Sequence, residues 1–136
     1  MQRSAPKLRD LVRPNLPIAC PSDTIQAAAE LMSNTRASAI PVLLDGGLVG
    51  VLCECDITRK LVAKGLDAAS ATVGELMNSE PVRISDDRDL ESALVVMRAR
   101  GAHALAVQDL FGRFIGLLTE RELCEEAHSR AKEAYQ

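Results

Sequence analysis

Aromatic side chains are nearly absent from this 136-residue chain: there is no tryptophan, one tyrosine (Tyr135) and two phenylalanines (Phe111 and Phe114). Hydrophobic residues still make up 47% of it, so the core must be aliphatic, packed from Leu, Val, Ile, Ala and Met. The same shortage argues against a surface that stacks single-stranded bases, which needs aromatic rings. Positive charge is not in excess either. Sixteen Lys and Arg against nineteen Asp and Glu give a net charge of −3, so the broad basic footprint of a nucleic-acid binder is missing. The local cluster Arg3, Lys7, Arg9 and Arg13 reads as a solvated chain end.

Long apolar runs are lacking as well. None approaches the ~18 residues that a membrane-spanning helix needs. The opening stretch Met1 to Pro6 has no apolar segment of the signal-peptide kind. The expected compartment is the cytoplasm, with neither a membrane nor nucleic acid as partner. Histidine is limited to His103 and His128, and cysteine to Cys20, Cys53, Cys55 and Cys124. Cys53-Glu54-Cys55 has no CxxC spacing and no nearby histidine, so no metal site is expected and the thiols read as reduced, buried structural residues. No Ser-His-Asp set and no P-loop can be assembled, which argues against an enzyme.

What the sequence does contain is an internal repeat. Shifted by about 65 positions, Leu11 falls on Leu76, Ala28 on Ala93, Met32 on Met97, Ala39 on Ala104 and Val42 on Val107. Beyond the next turn the offset grows by one, and Gly50 meets Gly116, Leu52 meets Leu118 and Glu54 meets Glu120. Near Pro17 and Pro81 it shrinks by one. Slips in turns with persistence in periodic segments mark a duplicated unit.

Each copy reads alike. A helical turn opens it (Lys7 to Val12; Val73 to Met77), and a short extended piece follows (Pro17 to Cys20; Val82 to Ile84). Next comes an amphipathic helix, with apolar residues three and four apart at Ile25, Ala28, Ala29, Leu31 and Met32, and at Leu90, Ala93, Leu94 and Met97. Asp23 with Gln26 predicts the cap of the first of these. Two strands then pair around a tight turn. In copy one they run Ala39 to Leu43 and Leu48 to Cys53 around Asp45-Gly46-Gly47; in copy two they run His103 to Val107 and Arg113 to Leu118. A last helix closes each copy, from about Glu54 to Lys64 with Gly65 as its stop, and from about Glu120 to Glu133. The predicted organisation is repeat 1 over 7–65, a linker over 66–72 and repeat 2 over 73–133. Neither copy alone, at roughly 60 residues, would bury enough surface to be comfortable.

These landmarks resemble the CBS (cystathionine β-synthase type) domain pair, also called the Bateman module. The resemblance rests on Arg9-Asp10-Leu11-Val12 and Gly74-Glu75-Leu76-Met77, on Pro17-Ile18 and Pro81-Val82, and on Ala39-Ile40-Pro41-Val42 and Ala104-Leu105-Ala106-Val107. It rests also on Gly50-Val51-Leu52-Cys53-Glu54-Cys55-Asp56-Ile57 and Gly116-Leu117-Leu118-Thr119-Glu120-Arg121-Glu122-Leu123. It implies an α/β (α+β) fold of two β-α-β-β-α repeats related by a pseudo-twofold axis. It implies also a homodimer and a regulatory ligand between the repeats, an adenine nucleotide (AMP, ADP or ATP) or S-adenosylmethionine, acting on a separate regulated protein. No cofactor is required.

The family's ligand motif is glycine, two apolar residues, Ser or Thr, two variable residues and Asp, where the last strand enters the last helix. There the carboxylate accepts hydrogen bonds from ribose hydroxyls while the hydroxyl faces the phosphate side. The resemblance assigns Cys53 and Asp56 to this motif in copy one, and Thr119 and Glu122 in copy two. It adds Ile18, Ala39 and Pro41, with Val82, His103 and Ala104 in copy two, as the lining of the base and phosphate region. Both motifs are split: Cys53 replaces the hydroxyl residue, and Glu122 replaces Asp. Thr119 with Glu122 also reads as a helix capping box, and Asp56 as a charge at a helix start. The alternative to a sensor is therefore a ligand-free dimeric scaffold whose clefts have decayed.

Overall fold

The computed structural model describes residues 6–134. Tyr135 and Arg3, singled out above, lie outside that range. The chain divides into two compact units. One is Asn15–Pro81; the other joins the segment ending at Pro14 to the chain from Val82 onward.

In the Asn15–Pro81 unit, α1 (Ile25–Thr35) precedes a hairpin of β1 (Ala39–Leu44) and β2 (Gly47–Cys53), which runs into α2 (Glu54–Asp56). The hairpin is antiparallel, with Ala39 opposite Cys53 and Leu44 opposite Gly47. Its two-residue turn is Asp45-Gly46, both at positive φ (52° and 81°), the conformation that matches the twist of paired strands. Beyond α2 the helix continues as a π-helical segment, Ile57–Val62, and ends before Gly65, which has φ 66°. The helix expected to reach Lys64 is thus shorter and partly wider than the periodicity predicted. Ile25, Ala28 and Met32 of α1 pack with Ile40, Val42 and Leu52 of the hairpin and with Leu61. β1 is also buried on its other face, through Ala39 and Pro41.

Two expectations are corrected here. The extended piece Pro17 to Cys20 is not a strand; it makes one parallel bridge, Ala19 to Val42, with hydrogen bonds from Ala19 N–H to the Pro41 carbonyl and from Leu43 N–H to that of Ala19. Pro17 and Pro21 flank it, and neither has an N–H to extend a ladder. The cap of α1 is Thr24, whose hydroxyl accepts from Ala27 N–H at 3.1 Å. Asp23 instead accepts from Cys20 N–H at 2.8 Å and ties the turn before the helix.

In the other unit, β3 (Arg83–Ser85) pairs parallel with β4 (Ala104–Gln108), which pairs antiparallel with β5 (Phe114–Thr119). The helices are α4 (Leu90–Arg100) and α5 (Glu120–Ala134), and α3 (Val73–Leu76) lies earlier in the chain. Leu90, Ala93 and Met97 pack with Leu105, Val107, Leu118 and Leu123. Asp89 caps α4 by accepting from Ser92 N–H, and Asp109 accepts from the N–H groups of Phe111 and Arg113 in the β4–β5 turn. Backbone hydrogen bonds are the leading cause that holds both carboxyls below the ordinary 3.8. A depressed folded pKa adds stability that is present above the unfolded value and is lost as pH falls through the folded one. A carboxyl-resolved NMR titration is expected to find both midpoints below 3.8, and a midpoint at or above it would refute the capping assignment.

The opening turn of each repeat packs on the other repeat's elements. The 3₁₀ turn Leu8–Asp10 lies in the unit of β3, β4 and β5, with Leu8 N–H bonded to the Arg88 carbonyl, Arg9 N–H to that of Asp86, and Leu8 fully buried among Ile84, Leu105 and Leu118. In turn α3 belongs with α1 and the first hairpin: Val73 N–H bonds the Asp23 carbonyl, Gly74 N–H bonds that of Pro21, and Val73 and Leu76 enter that core. Sequence repeats and packing units are therefore different divisions of the chain.

Candidate functional site

The strand-to-helix junction has the same construction in both units. In the first, β2 ends at Cys53 and Asp56 occupies the third helical position of α2. The Asp56 carboxylate is buried and fully engaged: Oδ2 accepts from Cys53 N–H at 2.9 Å, and Oδ1 faces Lys60 Nζ at 2.9 Å. Lys60 Nζ also donates to the Leu76 carbonyl at 3.0 Å, which anchors it to α3. Burial, before the nearby Cys55 and Asp56, pushes the Cys53 thiol from 9.0 up to about 12. Half-buried beside a carboxylate, the thiol stays protonated, so Cys53 presents a weak S–H donor where a hydroxyl would give a stronger one.

In the second unit, β5 ends at Thr119 and α5 follows. Thr119 Oγ1 and Glu122 Oε1 are 2.9 Å apart, Glu122 N–H donates to Thr119 Oγ1 at 3.2 Å, and Thr119 N–H donates back to Oε1 at 3.3 Å. This is the reciprocal capping box anticipated from the sequence. The other carboxylate oxygen, Oε2, faces Arg13 Nε at 3.4 Å. Arg13 is thus not merely part of a solvated basic end. It flanks a groove of about 340 Å³ with Leu11, Leu118, Glu122 and Leu123, at the lower end of the volumes typical of small-molecule sites.

Each junction therefore holds one carboxylate between a helix-start N–H and a cation. Sequence reasoning found the carboxylates and missed the cations. Lys60 carried a legible signal, its spacing of four residues from Asp56 on one helix face. Arg13 carried none, because only folding brings the opening turn to α5.

Of the other predicted residues, Ala39, Ala104 and His103 adjoin these junctions, while Ile18, Pro41 and Val82 lie along the neighbouring extended segments. Ala39 stands opposite Cys53 in the first ladder, and Pro41 is buried beside the Ala19 bridge. Ile18, half exposed, lies just before that bridge. In the second unit Ala104 stands opposite Thr119, and the Val82 carbonyl accepts from Ala106 N–H. The His103 carbonyl accepts from Glu120 N–H, and its exposed ring faces Glu120 Oε2 through Nδ1 at 3.3 Å. That pair sits on a second groove of about 220 Å³, floored by Leu94, Met97 and Cys124.

A duplicated α/β unit with a capped carboxylate at each strand-to-helix junction defines a tandem α/β domain-pair fold. The chain matches the CBS domain family over residues 8–63 and 73–129, and it belongs to that family. It is 32% identical over 102 residues to the CBS domain-containing protein YhcV of Bacillus subtilis, covering 75% of this chain and 72% of that one. It is similar to the CBS-pair protein CBSX2 of Arabidopsis thaliana, solved in complex with AMP, at 28% identity, with a TM-score of 0.74 and coverage of 93% and 98% of the two chains. The CBS domain of a bacterial CNNM/CorC family Mg²⁺ transporter, solved in complex with ATP, is 25% identical with a TM-score of 0.74, covering 89% and 86%. An isomerase, an acetyltransferase and a dehydrogenase among its relatives are matched over only 33%, 19% and 20% of their lengths. CBS pairs are in general regulatory rather than catalytic modules. No helix among the described residues is long and apolar enough to cross a membrane.

Proposed function

We propose that this chain is a regulatory module that binds an adenine nucleotide or S-adenosylmethionine and changes its affinity for a separate protein partner. The observation that carries the reading is the repeated junction, with Asp56 or Glu122 at the helix start and Lys60 or Arg13 beside it. A carboxylate there accepts from a ribose diol, and a neighbouring cation offsets phosphate charge. The AMP and ATP complexes of the two similar CBS proteins support an adenine nucleotide as the ligand class. On this reading Ile18, Ala39 and Pro41, with Val82, His103 and Ala104, border the base and phosphate. The working form is a cytoplasmic homodimer, and ligand acts only through its difference in affinity for two dimer states.

The test is a thermal-shift and calorimetry panel of AMP, ADP, ATP and S-adenosylmethionine on ligand-free protein. Ligand at a hundredfold excess over Kd should stabilise the wild type by about 2.7 kcal/mol. Asp56→Ala and Glu122→Ala are each expected to weaken binding at their own junction about tenfold or more, since a charge-assisted hydrogen bond is lost. Asp56→Asn, which keeps an acceptor for Cys53 N–H, separates loss of contact from loss of fold. No response to any of the four at millimolar concentration would refute the proposal.

A second reading is favoured by one observation. Both oxygens of Asp56 already have partners within the protein, and Glu122 is committed to its capping box. A scaffold that dimerises without ligand would keep both arrangements: light scattering would find a dimer while calorimetry finds no heat of binding for any of the four ligands.

A further inference from the structure

Cys53, Cys55 and Asp56 converge at the end of β2. One ligand atom from each, two Sγ and a carboxylate oxygen, lie within 4.8 Å of one another. The sequence argued against a metal because the thiols lack CxxC spacing and a nearby histidine. The carboxylate one residue beyond Cys55 supplies a third donor, which the strand-to-helix bend turns back toward both thiols. In a tetrahedral zinc site with sulfur bonds of about 2.3 Å, ligand atoms stand about 3.8 Å apart. Rotamer adjustments of about an ångström or less would therefore close the set. The thiols are not buried as expected: Cys20 and Cys124 are exposed, and Cys53 and Cys55 are half-buried and reachable from solvent, while Asp56 is buried and held by Cys53 N–H and Lys60.

We propose that Cys53, Cys55 and Asp56 form a three-ligand site for a soft or borderline divalent cation of the zinc type, with a fourth position left for water or an exogenous ligand. Charge supports this choice. Two thiolates, the Asp56 carboxylate, the Lys60 ammonium and one divalent ion sum to zero, so the loaded cluster carries no net charge into a partly buried place. Thiolate ligands favour zinc-type ions over Mg²⁺ or Ca²⁺, which prefer all-oxygen sets. Each thiol would release its proton on binding the metal.

The inference does not depend on nucleotide binding, and Cys55 lies outside the residues assigned to the adenosyl ligand. The test is titration of the reduced full chain with Co²⁺, followed by competition with Zn²⁺ and a chelator of known affinity. Expected is one Co²⁺ per chain, with a thiolate-to-metal charge-transfer band that Zn²⁺ removes. Cys55→Ser and Cys53→Ser should abolish the band and weaken affinity at least tenfold, while Cys20→Ser and Cys124→Ser leave both unchanged. Circular dichroism and the nucleotide response of Cys55→Ser report whether that variant is folded. A band absent from the wild type, surviving in folded Cys55→Ser, or lost on replacing Cys20 or Cys124 would overturn the proposal.

Discussion

Leu52→Ala and Leu118→Ala are each expected to destabilise the protein by about 2–5 kcal/mol, the range for truncating a fully buried leucine. The two residues occupy equivalent places. Leu52 lies on β2 opposite Ile40 and packs under α1; Leu118 lies on β5 opposite Leu105 and packs under α4. Both are essentially inaccessible, at 0% and 1% exposure. The aliphatic composition sharpens the effect, because no tryptophan is present to dominate either core and each leucine carries a large share of it. Equilibrium urea unfolding should show the midpoint falling with an unchanged slope. Leu52→Met, which nearly conserves volume, should lose less than about 1.5 kcal/mol. A cost below about 1 kcal/mol for both alanine variants would mean that these strands do not form the cores described.

The second large effect is expected at the two equivalent glycines. A Cβ at Gly50 would stand 2.5 Å from Met77 Sδ and 2.9 Å from the Asn78 carbonyl oxygen. Met77 can turn aside, but the Asn78 carbonyl accepts from Val51 N–H at 3.0 Å, and Asn78 N–H donates to the Val51 carbonyl at 2.9 Å. The backbone cannot retreat without breaking that bridge. At Gly116 a Cβ would meet Cβ and Cγ1 of Val12, both at 2.8 Å. Overpacking of this kind costs about 1–3 kcal/mol. Gly50→Ala is expected at the upper end, since its obstacle is main chain. Gly116→Ala should be partly rescued by Val12→Ala, and a double-mutant cycle measures that coupling. Gly47→Ala, whose nearest neighbour would be 3.7 Å away, is the control and should change little. Equal losses at Gly47 and Gly50 would show that steric overlap is not the cause, since Gly→Ala by itself lowers unfolded-state entropy and favours folding.

Much of the architecture was legible because it is local. Ile25, Ala28 and Met32 repeat as Leu90, Ala93 and Met97, and both sets became the buried stripe of an eleven-residue helix. Asp45-Gly46 announced its hairpin, since few other dipeptides adopt two positive φ angles in succession. The cap of α1 fell one residue from its predicted place, at Thr24 rather than Asp23, because both residues are competent caps and backbone geometry chooses between them. The π-helical stretch Ile57–Val62 left no trace in the apolar periodicity.

The candidate site was half legible. Asp56, Cys53, Thr119 and Glu122 stand out by their place in a duplicated motif, whereas Arg13 had no readable link to Glu122, far along the chain. The sequence by itself determined that there are two copies, where the amphipathic helix and the hairpin of each lie, and that a carboxylate follows each hairpin at Asp56 and Glu122. Only the tertiary structure decided that the opening turn of each copy packs with the other copy's strands, that Lys60 and Arg13 face the two carboxylates, and that Cys53, Cys55 and Asp56 converge. The physical reason is range. Periodicity, turn chemistry and capping act over a few residues and are written in local order, while the partner of a buried leucine or a charged group is selected by packing among segments that the chain order leaves far apart.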